Sequence, residues 1–283
     1  MVAETNTQKM ILKYRILRKL AYALIFIVLI AVILFPAWFF GGKAILSFKP
    51  SIEEMPVSAN RMGNYFFSMK QFDEALDQYK SAVWQEKYLV LWNDNADLPV
   101  YYNNLGRAYM NLDQPKKAVE QIENGLALLK IQTPENVADI AFANFQAGFL
   151  YSQTGEHSRE MERLLSAMEY YDSLPAESQG KNAGSVNLFL AHCYYEEGDF
   201  GNAIARFEKG IPLYYDSIIW GIGDDGDNLF MAVCYKFAAL AYEKAGNAEY
   251  AEKYLKKFND IVLLRDISDA QLEECTSYYG WRY

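Results

Sequence analysis

Beyond about residue 55, apolar residues return every three or four positions along stretches of 15 to 20 residues, and short polar breaks separate the stretches. That spacing gathers them on one face of a helix and predicts an all-α body; no segment alternates with the period of two that a half-buried strand needs. The stretch LGRAYMNLDQPKKAVEQIENGLALL, Leu105 to Leu129, reads as two such helices joined at a tight turn.

The pattern inside that stretch recurs. A small residue is followed by an aromatic three positions on, Ala at twelve, an apolar residue at sixteen and a second small residue at nineteen. Gly63, Phe66, Ala75, Tyr79 and Ala82 form the first copy, and Gly106, Tyr109, Ala118, Ile122 and Gly125 the second. Gly148, Tyr151, Leu164 and Ala167 form the third, with Glu160 where Ala is expected. The fourth is Ala191, Tyr194, Ala203, Phe207 and Gly210; the fifth is Ala239, Tyr242, Ala251 and Leu255, with Phe258 in place of the last small residue. Antiparallel helices approach closely only where one presents Gly or Ala to a bulky neighbour, so the small positions predict holes and the large ones their fillings. Gly155, Gly198 and Gly246 fall at the turn within a pair, where positive φ is needed, and Lys70 and Asp113 hold the equivalent places.

These residues resemble the tetratricopeptide repeat family, from Pro56 to about Phe258. The resemblance implies an α-solenoid of about five helix pairs, spanning 56–265. The copies start 43, 42, 43 and 48 residues apart, longer than the roughly 34 of the family, so helices or loops must be extended. Ala82 to Trp92 is expected to prolong one helix, Thr133 and Pro134 to start another early, and Gly210 to Asn228 to hold the longest insertion. Ser268 and Gln271 have capping-box spacing, so 266–283 is expected to be a capping helix over the open end of the stack, with an aromatic tail, YYGWRY, folded back on it.

One segment differs in kind. Leu20 to Phe40 is a run without a charge, long enough at about 1.5 Å per residue to span a hydrocarbon core of about 30 Å. Tyr22 and Trp38 to Phe40 suit the two headgroup regions. The run exceeds a secretory h-region and no A-x-A site follows, so an uncleaved transmembrane anchor is expected over 20–40, with a linker over 41–55. Lys9, Lys13, Arg15, Arg18 and Lys19 precede it and only Lys43 and Lys49 closely follow. The positive-inside rule puts residues 1–19 in the cytoplasm and the body outside, in the periplasm if the cell is bacterial.

Charge narrows the partners. The formal net charge is −9; residues 1–19 carry +4, which leaves −13 for the rest. Such a body is unsuited to nucleic acid phosphates. Protein partners of a membrane complex, and lipid through residues 20–40, are the expected contacts.

Candidate chemistry is sparse. His157 and His192 have no carboxylate or Cys pattern around them, no phosphate-binding Gly loop is present, and GDDGDN at 223–228 lacks the ligand order of a calcium loop. Cys193, Cys234 and Cys275 are too far apart for a zinc site. No catalytic residue, metal or cofactor is expected, and the chain is not expected to be an enzyme.

Function is then expected from surface. In such a solenoid the first helix of each pair lines the inner wall. Asn60, Asn64, Phe67, Asn103, Arg107, Met110, Phe145, Phe149, Leu188, His192, Tyr195, Lys236 and Leu240 fall on the face away from the second helices. Asn64 and Asn104 also match two positions of the carboxylate clamp of chaperone-binding members of the family. Asn60, Phe142 and Gln146 stand where that clamp needs basic residues, so a C-terminal carboxylate is not the expected ligand. The resemblance implies a membrane-anchored scaffold or adaptor, an assembly factor or structural subunit of a membrane complex. An accessory role in an envelope enzyme system, such as polysaccharide export or cytochrome maturation, is the alternative.

Overall fold

The computed structural model describes residues 43–90, 96–219 and 225–281, and side chains within 53–90, 96–215 and 226–281. The described residues form α-helices and one short 3₁₀ turn, with no strand. The helices are α1 (Lys43–Ser68), α2 (Phe72–Tyr88), α3 (Leu98–Asn111), α4 (Pro115–Gln132), α5 (Val137–Thr154), α6 (His157–Ser173), α7 (Lys181–Glu196), α8 (Phe200–Ile219), α9 (Asp225–Lys244), α10 (Ala248–Arg265) and α11 (Asp269–Tyr279). α1 to α10 pack as five consecutive pairs, and each pair also packs on the next. This is a solenoid.

The turn inside each pair is built the same way. Lys70, Asp113, Gly155, Gly198 and Gly246 all take left-handed φ, between 53° and 78°. The next N–H in each case donates to the carbonyl of the repeat's aromatic residue: Gln71 to Phe66, Gln114 to Tyr109, Glu156 to Tyr151, Asp199 to Tyr194 and Asn247 to Tyr242, at 2.9–3.0 Å. This is the six-to-one bond that closes a helix C-terminus. The template aromatic therefore packs with its ring and ends its helix with its carbonyl.

The small positions are close approaches. A Cβ on Gly63 would stand 2.5 Å from the Tyr79 ring, on Gly106 2.7 Å from Ile122 and on Gly148 2.8 Å from Leu164, so each glycine receives the residue sixteen places on in its own copy. Of these three filling residues only Tyr79 is aromatic. Ala75, Ala118, Ala191 and Ala203 are fully buried and Ala239 nearly so, while Ala251 is half-buried on the outermost pair. Between α7 and α8 the contacts are with backbone: a Cβ on Gly184 would meet the Tyr214 backbone N at 2.7 Å, and one on Gly210 would meet the Gly184 carbonyl at 3.0 Å.

Three expectations are corrected. The linker over 41–55 is helical from Lys43: α1 runs through Pro50 and Pro56, whose cost in lost backbone bonds reads as a break in sequence, and packs on α2. α5 begins at Val137, not beside Thr133. Asn136 caps it, its Oδ1 accepting from the Asp139 N–H at 3.4 Å, while the Thr133 N–H donates back to Leu129 and ends α4. Lastly, α11 has its full Ser268–Gln271 capping box, but it does not cover the end of the stack; it packs on α5 and α9, because its buried residues are complementary to that wall. The outer face of α10 keeps Leu255, Leu263 and Leu264 exposed.

Residues 1–19 and the expected anchor over 20–40 lie outside the described residues. Among those described, no helix is long and apolar enough to cross a membrane.

Candidate functional site

α5, α7 and α9, the first helices of the last three pairs, make a wall paved with rings. Phe149 of α5 and Phe230 of α9 lie 5.6 and 5.9 Å from the Phe189 ring of α7. Into this wall goes the end of the chain. The Trp281 indole stacks parallel to the His192 ring at 4.6 Å and meets Phe189, Phe230 and Phe237 at 5.3–5.5 Å. Tyr279 lies 4.5 Å from Phe230 and 5.9 Å from Phe149. Backbone is recognised as well: the Ser152 hydroxyl donates to the Tyr279 carbonyl at 2.7 Å, and Gln153 Nε2 to the Tyr278 carbonyl at 2.8 Å. Gly280 passes with φ of 71°, and a Cβ there would stand 2.2 Å from the Ser152 carbonyl.

The residues expected on the inner wall are therefore in two situations. His192 is 1% exposed, covered by the rings of Trp281 and Phe237, and Leu188 is fully buried against Gly210 of α8, so it faces the second helix of its pair and not the open wall as expected. Phe149 carries Tyr278 and Tyr279, and Phe145 packs on Phe189. Tyr195 packs on Phe200 and Phe237, and the Lys236 ammonium sits 5.7 Å from the Phe258 ring of α10. Leu240 is half-buried in the same core. The tail, expected against its own helix, lies on the wall instead.

Nearer the N-terminus the wall is open. A cleft of about 290 Å³ is lined by Arg107 and Met110 of α3, Phe142, Phe145, Gln146 and Phe149 of α5, and Tyr278 and Tyr279 of the tail. A second hollow of about 200 Å³ adjoins it beside Pro99, Asn103 and Phe142. Arg107 is exposed, its guanidinium 4.7 Å above the Phe67 ring. The amides around it are partly engaged: Asn103 donates to Gln146 at 2.5 Å, Asn104 to Asn60 at 2.9 Å, and Asn64 accepts from the Tyr79 hydroxyl at 2.8 Å. Phe142, Gln146, Ser152, Gln153, Phe189 and Phe230 belong to this surface and are absent from the sequence-based groove.

Behind Ser152 lies a buried carboxyl. Glu160, the residue in place of the repeat's Ala, is wholly buried. Burial pushes its carboxyl above the usual carboxylate range, against the opposing pull of Cys193, Ser152 and His157. The three thiols are free and buried, and burial raises all three, Cys275 to about 12. Among the described residues no group of three or more His, Cys, Asp and Glu side chains is placed to hold a metal ion.

Residues 99–128, which cover most of α3 and α4, match the tetratricopeptide repeat family. The whole arrangement also superposes on solved solenoids. The fold is that of tetratricopeptide repeats. BtubC (BKLC) from P. vanneervenii aligns with a TM-score of 0.58 at 18% identity, over 78% of this chain and 91% of its own. The protein MamA aligns at 0.53 and 19%, over 76% and 95%, and a set of nearly identical TPR-like repeats from Podosopora anserina at 0.53 and 18%, over 75% and 96%. At such identities the likeness is one of fold. Among curated proteins, none matches the chain. Tetratricopeptide solenoids are protein-interaction scaffolds, and their inner walls hold polypeptide segments. Here part of that wall is filled from within and part is open.

Proposed function

We propose that the chain is a membrane-anchored tetratricopeptide scaffold that holds a partner polypeptide on its inner wall, as an assembly factor or structural subunit of a membrane complex. The observation that carries this reading is the open aromatic cleft between α3 and α5, with Arg107 at its mouth. Apolar walls of this size take one or two large side chains of a partner, and the exposed guanidinium favours an acidic neighbour beside them. The uncharged run at 20–40 and the basic residues before it support an anchor with the body outside the cytoplasm. Tethering would raise the concentration of the cleft near other membrane proteins. The body holds its partner and leaves it chemically unchanged.

The test is isolation of tagged full-length protein from membranes in mild detergent, with mass spectrometry of what accompanies it, for wild type and for Phe142→Ser with Arg107→Ala. Both residues are exposed, so the fold should survive their change. A stoichiometric partner lost from the double variant supports the reading. A partner retained undiminished, or none at all, refutes it.

A further inference from the structure

α11 and the residues after it are seated as a ligand would be. Of this segment, Leu272, Cys275, Thr276 and Trp281 are buried, whereas Gln271, Glu273, Glu274 and Ser277 face solvent. Its contacts read sequence at three consecutive positions. Tyr279 and Trp281 each enter a bed of rings, and Gly280 between them passes where no side chain fits. The two carbonyls before Gly280 have donors supplied by side chains of α5, not by the solenoid backbone, so the arrangement needs no sheet or helix continuity. It could equally be made by another chain that ends a helix in the same way.

We propose that the wall formed by α5, α7 and α9 is a receptor for a helix that ends in the pattern aromatic–Gly–Trp, and that the chain's own residues 269–281 are its resident occupant. The partner that fits is a polypeptide with a helical segment closed by Gly in left-handed conformation and followed by Trp. It competes with residues 278–281 for Ser152, Gln153 and His192. The inference rests on reading the inner wall as the partner face. It adds that access to the C-terminal half of that wall is set by competition with the tail, which lowers apparent affinity by the fraction of molecules in which the tail is docked.

The probe is a fluorescently labelled peptide of residues 268–283 with Cys275→Ser, titrated into full-length protein in detergent and followed by polarisation. Wild type should bind it at least tenfold more weakly than Trp281→Ala, in which the resident tail has lost its main ring. Adding His192→Ala to that variant should remove the binding. Gly280→Ala serves as a second route to a released tail that keeps every ring, because its Cβ is driven against the Ser152 carbonyl. Hydrogen exchange on wild type needs no variant: α11 amides should exchange at least tenfold faster than the buried amides of α7. Helical Trp281→Ala and Gly280→Ala proteins that do not bind the peptide overturn the proposal. So do α11 amides as slow as those of α7, which would make the tail part of the permanent core. If the peptide binds but no membrane partner is captured, the scaffold reading fails and the receptor stands; if a partner is captured through the Phe142 cleft and the peptide does not bind, only the receptor fails.

Discussion

Gly184→Ala tests whether the backbone-to-backbone approach of α7 and α8 is set by glycine. Gly184 lies inside α7, where Ala in its place would gain about 0.5–1 kcal/mol of helix propensity. Against that gain stands the α8 backbone: the new Cβ would be 2.7 Å from the Tyr214 N, 3.0 Å from its Cα and 3.1 Å from the Leu213 carbonyl carbon. A flexible side chain can swing away from such a contact, but a helix backbone must move as a whole and take its neighbours with it. Overpacking of this kind costs about 1–3 kcal/mol, and a contact this short against backbone belongs at or above the top of that range. The net expectation is a loss of about 2 kcal/mol, or roughly 4–8 °C in Tm for a body of this size. Gly201→Ala is the control: it lies at the start of α8, and its Cβ would meet only the Asp199 carboxylate, at 3.7 Å. It should leave Tm unchanged or raise it slightly. Thermal unfolding by circular dichroism on both variants decides the matter. A Gly184→Ala protein as stable as Gly201→Ala would mean that α7 and α8 separate freely and that the backbone contact does not constrain the pair.

Further outcomes follow from the same geometry. Because burial raises the Glu160 carboxyl in the folded state, the fold holds its proton more tightly than the unfolded chain does, so this group's contribution falls as pH rises from the ordinary carboxylate range through the raised value. Glu160→Gln should then match wild type in Tm near pH 4 and exceed it increasingly towards pH 8; a difference that shrinks with pH would contradict the assignment. Ser268→Ala removes the capping box of α11 and should cost about 1 kcal/mol there, seen as roughly fivefold faster exchange of α11 amides with α7 unaffected. With all three thiols buried and Cys275 raised to about 12, native protein should react slowly with a disulfide reagent at pH 7. Gly280→Ala should speed Cys275 on α11 and leave Cys193, between α6 and α7, slow; equal acceleration of both would indicate general loosening.

The repeat was legible because it is written in local residues. Gly63, Gly106 and Gly148 announce holes, and Gly155, Gly198 and Gly246 announce turns, through steric needs that no distant contact alters. Lys70 and Asp113 could be placed only by register, since neither residue type favours positive φ as Gly does. The seat of α11 was not legible. Ser268 and Gln271 fix where the helix starts, but where it docks depends on rings from three other helices matching Tyr279 and Trp281. One sign of it was present: from Ala183 to Cys193 α7 has no Asp, Glu, Lys or Arg on any face, and all of it is buried. A helix in a two-layer solenoid needs only part of its circumference covered, so a stretch without charge all round implies a third layer. Gly184 escaped notice for a related reason, since it faces α8 two helical turns before the template's first position, Ala191, and only the α7–α8 crossing makes it critical.

The bond from Ser152 to the Tyr279 carbonyl joins residues 127 apart in sequence. An ordinary repeat array has no such closure, and its units come apart from the ends one by one. Here the docked α11 braces α5 to α10 around one large core, whereas the first two pairs have smaller ones, one of which joins α4 to α5. Under denaturant the N-terminal repeats should melt before α5 to α10, which stay together on their shared core after α11 has undocked. On the ribosome this brace cannot form until residue 281 has emerged, so α5 waits for a partner synthesised more than a hundred residues later.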